Sequence, residues 1–404
     1  MRNLPEGRNT AGLPRGMIFL LLFLTYTLSG IATYRLQPVL ASAMEFLGAD
    51  EAKLGVLMSV PSFVALLATM LAGFLVMRIG YCCSMTVALI LSMLGLAVAL
   101  KAPDYRGVFV SQAVLGLGNT LMMVTAPSVM QAVYTPDEYA MRIGVINSAQ
   151  TAGQGLVFLL LPTLVVNTGF TSVWSVFLIP TGIILLIWTA LWIKGEEKHF
   201  AAGLSGRAAG DVSDNAGDSP FPLKDWRFWV MTAGVLFCMI SAGAALNYTA
   251  LYLKSVKGFS EAEAGNMMFG CTVLGVIAAM TGGPLGRKFG PRRVYILIAL
   301  LQTALRALIV VFNSALPLFA VTALSGIPAA MVVICNSAVP RLCLNRRYTP
   351  IAVSMIATAT TGGLALSSLI FGKLITVIGF DASFLVFVPV SLMALLSALV
   401  IPKD

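Results

Sequence analysis

"GFLVMRIGYC", residues 73–82, closes one apolar run, and "GPLGRKFGPR", residues 283–292, closes another. An offset of 210 sets Gly73 on Gly283, Leu75 on Leu285 and Gly80 on Gly290. The same offset sets Gly116 on Gly326 and "TAG" at 151–153 on "TGG" at 361–363. It also sets "TGFTSVWSVF" at 168–177 on "IGFDASFLVF" at 378–387. Self-similarity at one fixed offset marks an internally duplicated architecture. The second half therefore reads as a structural copy of the first.

Around these landmarks the chain is a series of apolar runs. Twelve are long enough to cross a bilayer, which takes about 20 residues. They cover 17–41, 54–77, 83–101, 107–133, 140–166, 171–193, 228–252, 264–286, 293–313, 316–340, 350–377 and 382–401. Composition agrees: 58% of the 404 residues are hydrophobic and only 11% are charged, against roughly 25% charged in soluble domains. Such a chain cannot cover a water-facing surface. The expected fold is an all-α polytopic membrane protein, with twelve transmembrane helices in two pseudo-symmetric six-helix bundles. Residues 1–16 form a polar N-terminal segment, 17–193 the first bundle and 227–404 the second. Residues 194–226, "KGEEKHFAAGLSGRAAGDVSDNAGDSPFPLKDW", are rich in Gly, Ser, Asp and Pro and read as a flexible linker. The first apolar run is too long for a signal-peptide core, so no cleavable leader is expected. An even number of spans per half gives both copies one orientation, about an axis along the membrane normal.

Lys and Arg set the direction of insertion. With the N-terminus in the cytoplasm, eighteen of the 26 basic residues fall on inner segments, among them Arg15, Arg78, Arg142, Arg287, Lys288 and Arg292. Lys53, Lys101, Arg106, Lys254 and Lys257 fall outside. Both termini are expected in the cytoplasm, in a multi-pass protein of the bacterial inner membrane. The net charge of +9 is then a topology signal, not a nucleic-acid patch.

Two parallel six-helix halves joined by a polar linker resemble the major facilitator superfamily. That family carries a G-x-L-x-D-R-x-G-R-K signature after its second helix. Gly73, Leu75, Arg78 and Gly80 match it, with Met77 at the acidic position and Tyr81 and Cys82 at the following basic pair. The second copy keeps Gly283, Leu285, Lys288, Gly290 and Arg292, with Arg287 at the acidic position. The resemblance implies alternating access and a gating role for Gly73, Arg78, Gly80, Gly283, Arg287, Lys288 and Gly290. A narrower likeness is to the cyanate and nitroimidazole transporter group, which has an Asn-x-Arg-Pro element in its first helix. Here "TYRLQP", residues 33–38, puts Arg35 at the arginine with Pro38 two places later. "LGLGNTLMMVTAPSVM", residues 115–130, is similar to that group's glycine-rich run ending in Pro-Ser-Val.

Three basic residues lie inside apolar runs: Arg35, Arg306 and Lys373. A cation at membrane depth costs about 2.5–3.5 kcal/mol on insertion scales. The seventeen acids sit at helix ends or in loops, and the single histidine, His199, is in the linker. Cations without acids leave an anion to complete the site, and the natural anion is the substrate. Arg35 leads the candidates, with Tyr34 and Gln37 beside it. Arg306 and Lys373 follow. Asn119, Gln150, Gln154, Asn247, Tyr248 and Asn336 are the polar residues expected around them; Asn147 shares a helix face with Gln150 and Gln154. Each has a competing reading. Arg35 and Lys373 can snorkel to the interface, Arg306 can serve packing, and the amides can bond between helices. The six cysteines read as small hydrophobes in packed helices.

The expected function is a secondary transporter that moves a small anion, inorganic or carboxylate, as an exchanger or facilitator. It would act as a monomer, without cofactor or metal, with its substrate and the lipid bilayer as partners. The alternative is a proton-coupled exporter of drugs or metabolites. That class needs a membrane carboxylate and usually a G-x-x-x-G-P-x-x-G-G element in helix 5, where this chain reads "NSAQTAGQGLVFLLLP", residues 147–162. A membrane enzyme would need acids, histidines or a metal cluster at one leaflet, and the sequence offers none.

Overall fold

The computed structural model describes residues 14–134, 136–193, 224–342 and 349–401. Most of the expected N-terminal segment and linker lies outside the described residues. Among the described residues, twelve helices are long and apolar enough to cross a membrane. They are α1 (Arg15–Leu47), α2 (Glu51–Ile79), α3 (Tyr81–Lys101), α4 (Tyr105–Val133), α5 (Pro136–Thr168), α6 (Ser172–Ile193), α7 (Trp226–Ser255), α8 (Glu261–Phe289), α9 (Pro291–Val311), α10 (Ala315–Leu324 and Ala329–Leu342), α11 (Thr349–Ile378) and α12 (Phe380–Leu399).

Helices α1 and α10 are interrupted where the sequence carries proline. Pro38 cannot donate a backbone hydrogen bond, and α1 passes through a short 3-10 turn, Gln37–Val39, before resuming at Leu40. In α10 the break falls between Leu324 and Ala329, at Gly326 and Pro328. Asp50, Asp104 and Asp225 cap α2, α4 and α7 by accepting backbone N–H bonds. Ser260 and Glu263 form a reciprocal capping box on α8.

The duplication is written into the backbone. Among the described residues only glycines have positive φ: Gly48, Gly80, Gly169, Gly258, Gly290 and Gly379. They form three pairs, each 210 residues apart. Gly80, φ 85°, is the single residue between α2 and α3, and Gly290, φ 86°, the single residue between α8 and α9. A side chain there would be strained. The rest of the expected loop signature, residues 73–79 and 283–289, is helical and forms the last turns of α2 and α8.

Small residues let helices touch backbone to backbone. A Cβ on Gly153 of α5 would overlap the Thr27 carbonyl of α1, and one on Gly363 of α11 would crowd the Leu236 carbonyl of α7. Gly116 packs on Pro61, and Gly326 on Cys271, again matched pairs.

The two halves meet at the side away from the chain termini. There Gly55 of α2 packs on the Ser368 carbonyl of α11, and Gly265 of α8 packs on the Phe158 carbonyl of α5. These contacts mirror one another at the same offset. Toward the terminal side, a Cβ on Gly73 or Gly283 would meet nothing within 4 Å. The molecule is closed on the side opposite its termini.

Candidate functional site

Between the halves lies a cavity of about 210 Å3. Tyr34 of α1 and Thr151 and Gln154 of α5 line it from the first half. The second half supplies Thr249 of α7, Cys271 and Thr272 of α8, and Thr322 and Ser325 of α10, among apolar neighbours. No charged side chain among the described residues lines it.

Each half also buries one arginine, and neither of the two lines this cavity. Arg35 is 0% exposed. Its guanidinium turns into the first bundle, beside Leu28, Ile31, Ser92, Leu96 and Thr181, where the free space is only about 10 Å3. Nη2 donates to Gln112 Oε1 at 2.8 Å, and Nη1 donates to the Ala32 carbonyl. Nε has no partner. Arg306 is also 0% exposed. Its Nε donates to Ser241 Oγ at 3.2 Å, while Nη1 and Nη2 have no partner among the described residues. Ser241 is bonded to Ser391, their oxygens 2.5 Å apart, and Gln302 bonds the Cys238 carbonyl at 3.1 Å. Among the described residues neither arginine has an ion pair; those present are Arg15–Glu138, Arg142–Glu138 and Lys254–Glu261.

Of the other expected site residues, Tyr34 and Gln154 line the cavity. Asn119 bonds Ser29 within the first half. Gln150 is half-buried, and its backbone carries the close approach of Gly30. Gln37, Asn247 and Tyr248 belong to the closed seam instead. Gln37 Nε2 donates to Asn247 Oδ1, Asn247 Nδ2 donates to Ser368 Oγ at 2.5 Å, and Tyr248 donates to the Ser368 carbonyl at 2.9 Å. Gln37 and Asn247 are repeat mates 210 residues apart, so this bond lies on the pseudo-twofold axis. Asn336 and Lys373 are exposed. Arg78 and Lys288 are exposed on the terminal side. The Arg287 side chain lies outside the described residues.

Sequence reasoning missed two sets of residues. The first is the cavity hydroxyls, Thr151, Thr249, Thr272, Thr322 and Ser325. A threonine in a helix bonds a preceding carbonyl, as Thr272 does to Phe269 at 2.7 Å, and then reads as one more apolar residue. The second is Glu261, which is 7% exposed at the start of α8. It accepts from the Ser42 backbone N at 3.0 Å, from the Ser42 hydroxyl at 2.8 and 2.9 Å, and from Lys254 Nζ at 2.9 Å. It ties the two halves together where they close. Among the described residues no group of His, Cys, Asp and Glu could hold a metal ion.

The family model described as Major Facilitator Superfamily matches residues 22–275 and 232–404. No curated protein matches in sequence. Among solved structures, a bacterial homolog of the human lysosomal transporter Spinster, inward-facing and occupied, is 17% identical with a TM-score of 0.71; the match covers 96% of this chain and 94% of that one. Its inward-facing, unoccupied form is also 17% identical, with a TM-score of 0.68 and coverage of 96% and 93%. The nucleoside transporter NupG, in a mutant form, is 14% identical with a TM-score of 0.73 and coverage of 96% and 100%. At these identities the likeness is one of fold.

Proposed function

The chain belongs to the major facilitator superfamily, and on that premise we propose that it is a secondary transporter for a small organic anion of the carboxylate class. The reading is carried by one observation. Each half buries a guanidinium group without an ion pair among the described residues, and the cavity between the halves is lined by hydroxyls, one amide, one thiol and apolar groups. A bare buried cation costs several kcal/mol, and an anionic solute offsets that cost. The cavity, about 210 Å3, is below the roughly 300–1,000 Å3 of drug-sized ligand pockets. Its hydroxyl and apolar lining suits a carboxylate with a short apolar body better than a bare inorganic ion.

On this reading the carrier works as a monomer in the bacterial inner membrane. The terminal side faces the cytoplasm, as the Lys and Arg distribution favours, and the described state is inward-facing. Rocking of the halves would expose the cavity alternately.

A second reading, proton-coupled export of an uncharged or amphipathic compound, is favoured by the neutral cavity lining. Counterflow in proteoliposomes separates the two. The expected result is exchange of a labelled small monocarboxylate against internal unlabelled anion. Dye efflux driven by a pH gradient, with no counterflow by any anion in a panel, would establish the second reading instead.

A further inference from the structure

The two buried guanidinium groups occupy the same place in their respective halves, although they come from different helices. Around Arg35 stand Leu28, Ile31, Ser92, Leu96 and Thr181. At the offset of 210 these become Cys238, Ser241, Gln302, Arg306 and Ser391. The bonds from Arg306 to Ser241, from Ser241 to Ser391 and from Gln302 to Cys238 join this same set. In the first half the cation comes from the α1 side and faces Leu96. In the second it comes from the α9 side and faces α7.

The swap has a geometric consequence. The repeat mates of Arg35, Ala32 and Gln112 are Ala245, Ala242 and Thr322. In the first half the Arg35 guanidinium and the Gln112 amide bond each other there. In the second half all three mates are small, and all three line the central cavity. The cavity therefore reaches into the second bundle at the place that Arg35 fills in the first. Cys271 lines it too, and Arg306 is bonded to Ser241, the residue before Ala242 and one turn before Ala245 on α7. The N-half cage is supplied with acceptors. The C-half cage is supplied with fewer: only Arg306 Nε is bonded, to Ser241, while Nη1, Nη2 and the Thr322 hydroxyl are buried without a hydrogen-bond partner among the described residues.

Resting on the anion reading above, we infer that Arg306 is the cation that meets the substrate's carboxylate, reached from the cavity across Ala245, Cys271 and Thr322, and that Arg35 is its structural counterpart. The carboxylate supplies the two oxygen acceptors that the free Nη edge lacks, as a bidentate pair. Ala245 leaves the space, and the Thr322 hydroxyl can donate a further bond.

Cys271 reports on this site without any transport assay. In a variant whose other five cysteines are replaced, Cys271 is treated with an anionic and with a cationic methanethiosulfonate reagent of similar size. The ratio of the two rates cancels the thiolate fraction and isolates the local potential. At an effective dielectric near 20, a neighbouring unit charge makes that ratio favour the anion by roughly tenfold or more. Arg306→Gln is expected to abolish the preference, Arg306→Lys to retain most of it, and Ala245→Met to slow both reagents by filling the approach. A ratio that Arg306→Gln leaves unchanged, or a Cys271 inert to both reagents in the folded protein, overturns the assignment. Counterflow on the parent protein tests the underlying reading separately. Anion exchange with an indifferent ratio defeats the site alone; an Arg306-dependent ratio with no anion transported defeats the reading alone.

Discussion

Gln112 lies in the apolar run of α4, yet its carbonyl is the side-chain acceptor for a fully buried guanidinium. Removing one partner of such a bond leaves the charge uncompensated, while replacing both by apolar groups of similar shape can be neutral. Gln112→Leu is therefore expected to lower stability by about 2 kcal/mol, and Arg35→Met to restore it when the two are combined. Thermal unfolding in detergent reads both effects; a double variant no more stable than Gln112→Leu alone would show that Arg35 is not held by this bond. The presence of Arg35 and Arg306 was legible, because a charge in an apolar run stands out at once. Their direction was not. In a membrane bundle the lipid face and the helix-packing face are both apolar, so the 3.6-residue pattern that orients a helix of a soluble protein loses its contrast. Depth could be read from the sequence; azimuth could not. The information was present in another form, since superposing the halves at Leu96 and Arg306, or at Gln112 and Thr322, pairs the two cages.

At the scale of elements, hydropathy located the spans but not the ends of the helices. The expected loop signature is helical up to Ile79 and Phe289, because the apolar pattern marks the bilayer while only Gly80 and Gly290 end the helices. The seams between helices were also legible in part. Small residues signalled close packing, but not which partner each one meets. Gly55 meets Ser368 and Gly372 across the halves, and its mate Gly265 meets Phe158 and Pro162. A Cβ on Gly55 would lie 2.5 Å from the Ser368 carbonyl oxygen, a position backbone atoms cannot yield cheaply. Gly55→Leu and Gly265→Leu are each expected to prevent closure of this face and to populate the conformer open there. Glu261→Gln should act in the same direction more weakly, by deleting the Lys254 ion pair and loosening Ser42. Spin labels at Lys53 and Val256, on different halves of the closed face, measure the separation. A distance distribution unmoved by both glycine variants would mean that the seam does not hold this state.

For the whole molecule the duplication does most of the explaining. A single offset predicts the two bundles, pairs every positive-φ glycine, and brings Gln37 against its own mate Asn247 on the axis between the halves. Two similar bundles joined at one face can rock about that face, and each excursion must pass through a form in which both sides are closed. In that form the cavity next to the already buried Arg306 also loses its connection to bulk water. If the cavity is empty, the bare charge costs several kcal/mol, whereas a bound carboxylate compensates it. Arginine does not discharge by losing its proton, so the empty carrier has no other way to lower that barrier. Each 1.4 kcal/mol of difference is a factor of ten in rate. Exchange of anion for anion is therefore expected to outrun net flux by tenfold or more. Proteoliposomes loaded with or without internal anion measure the ratio directly. Uphill uptake on a pH gradient into anion-free vesicles would refute obligatory exchange and would require a proton carrier in the chain.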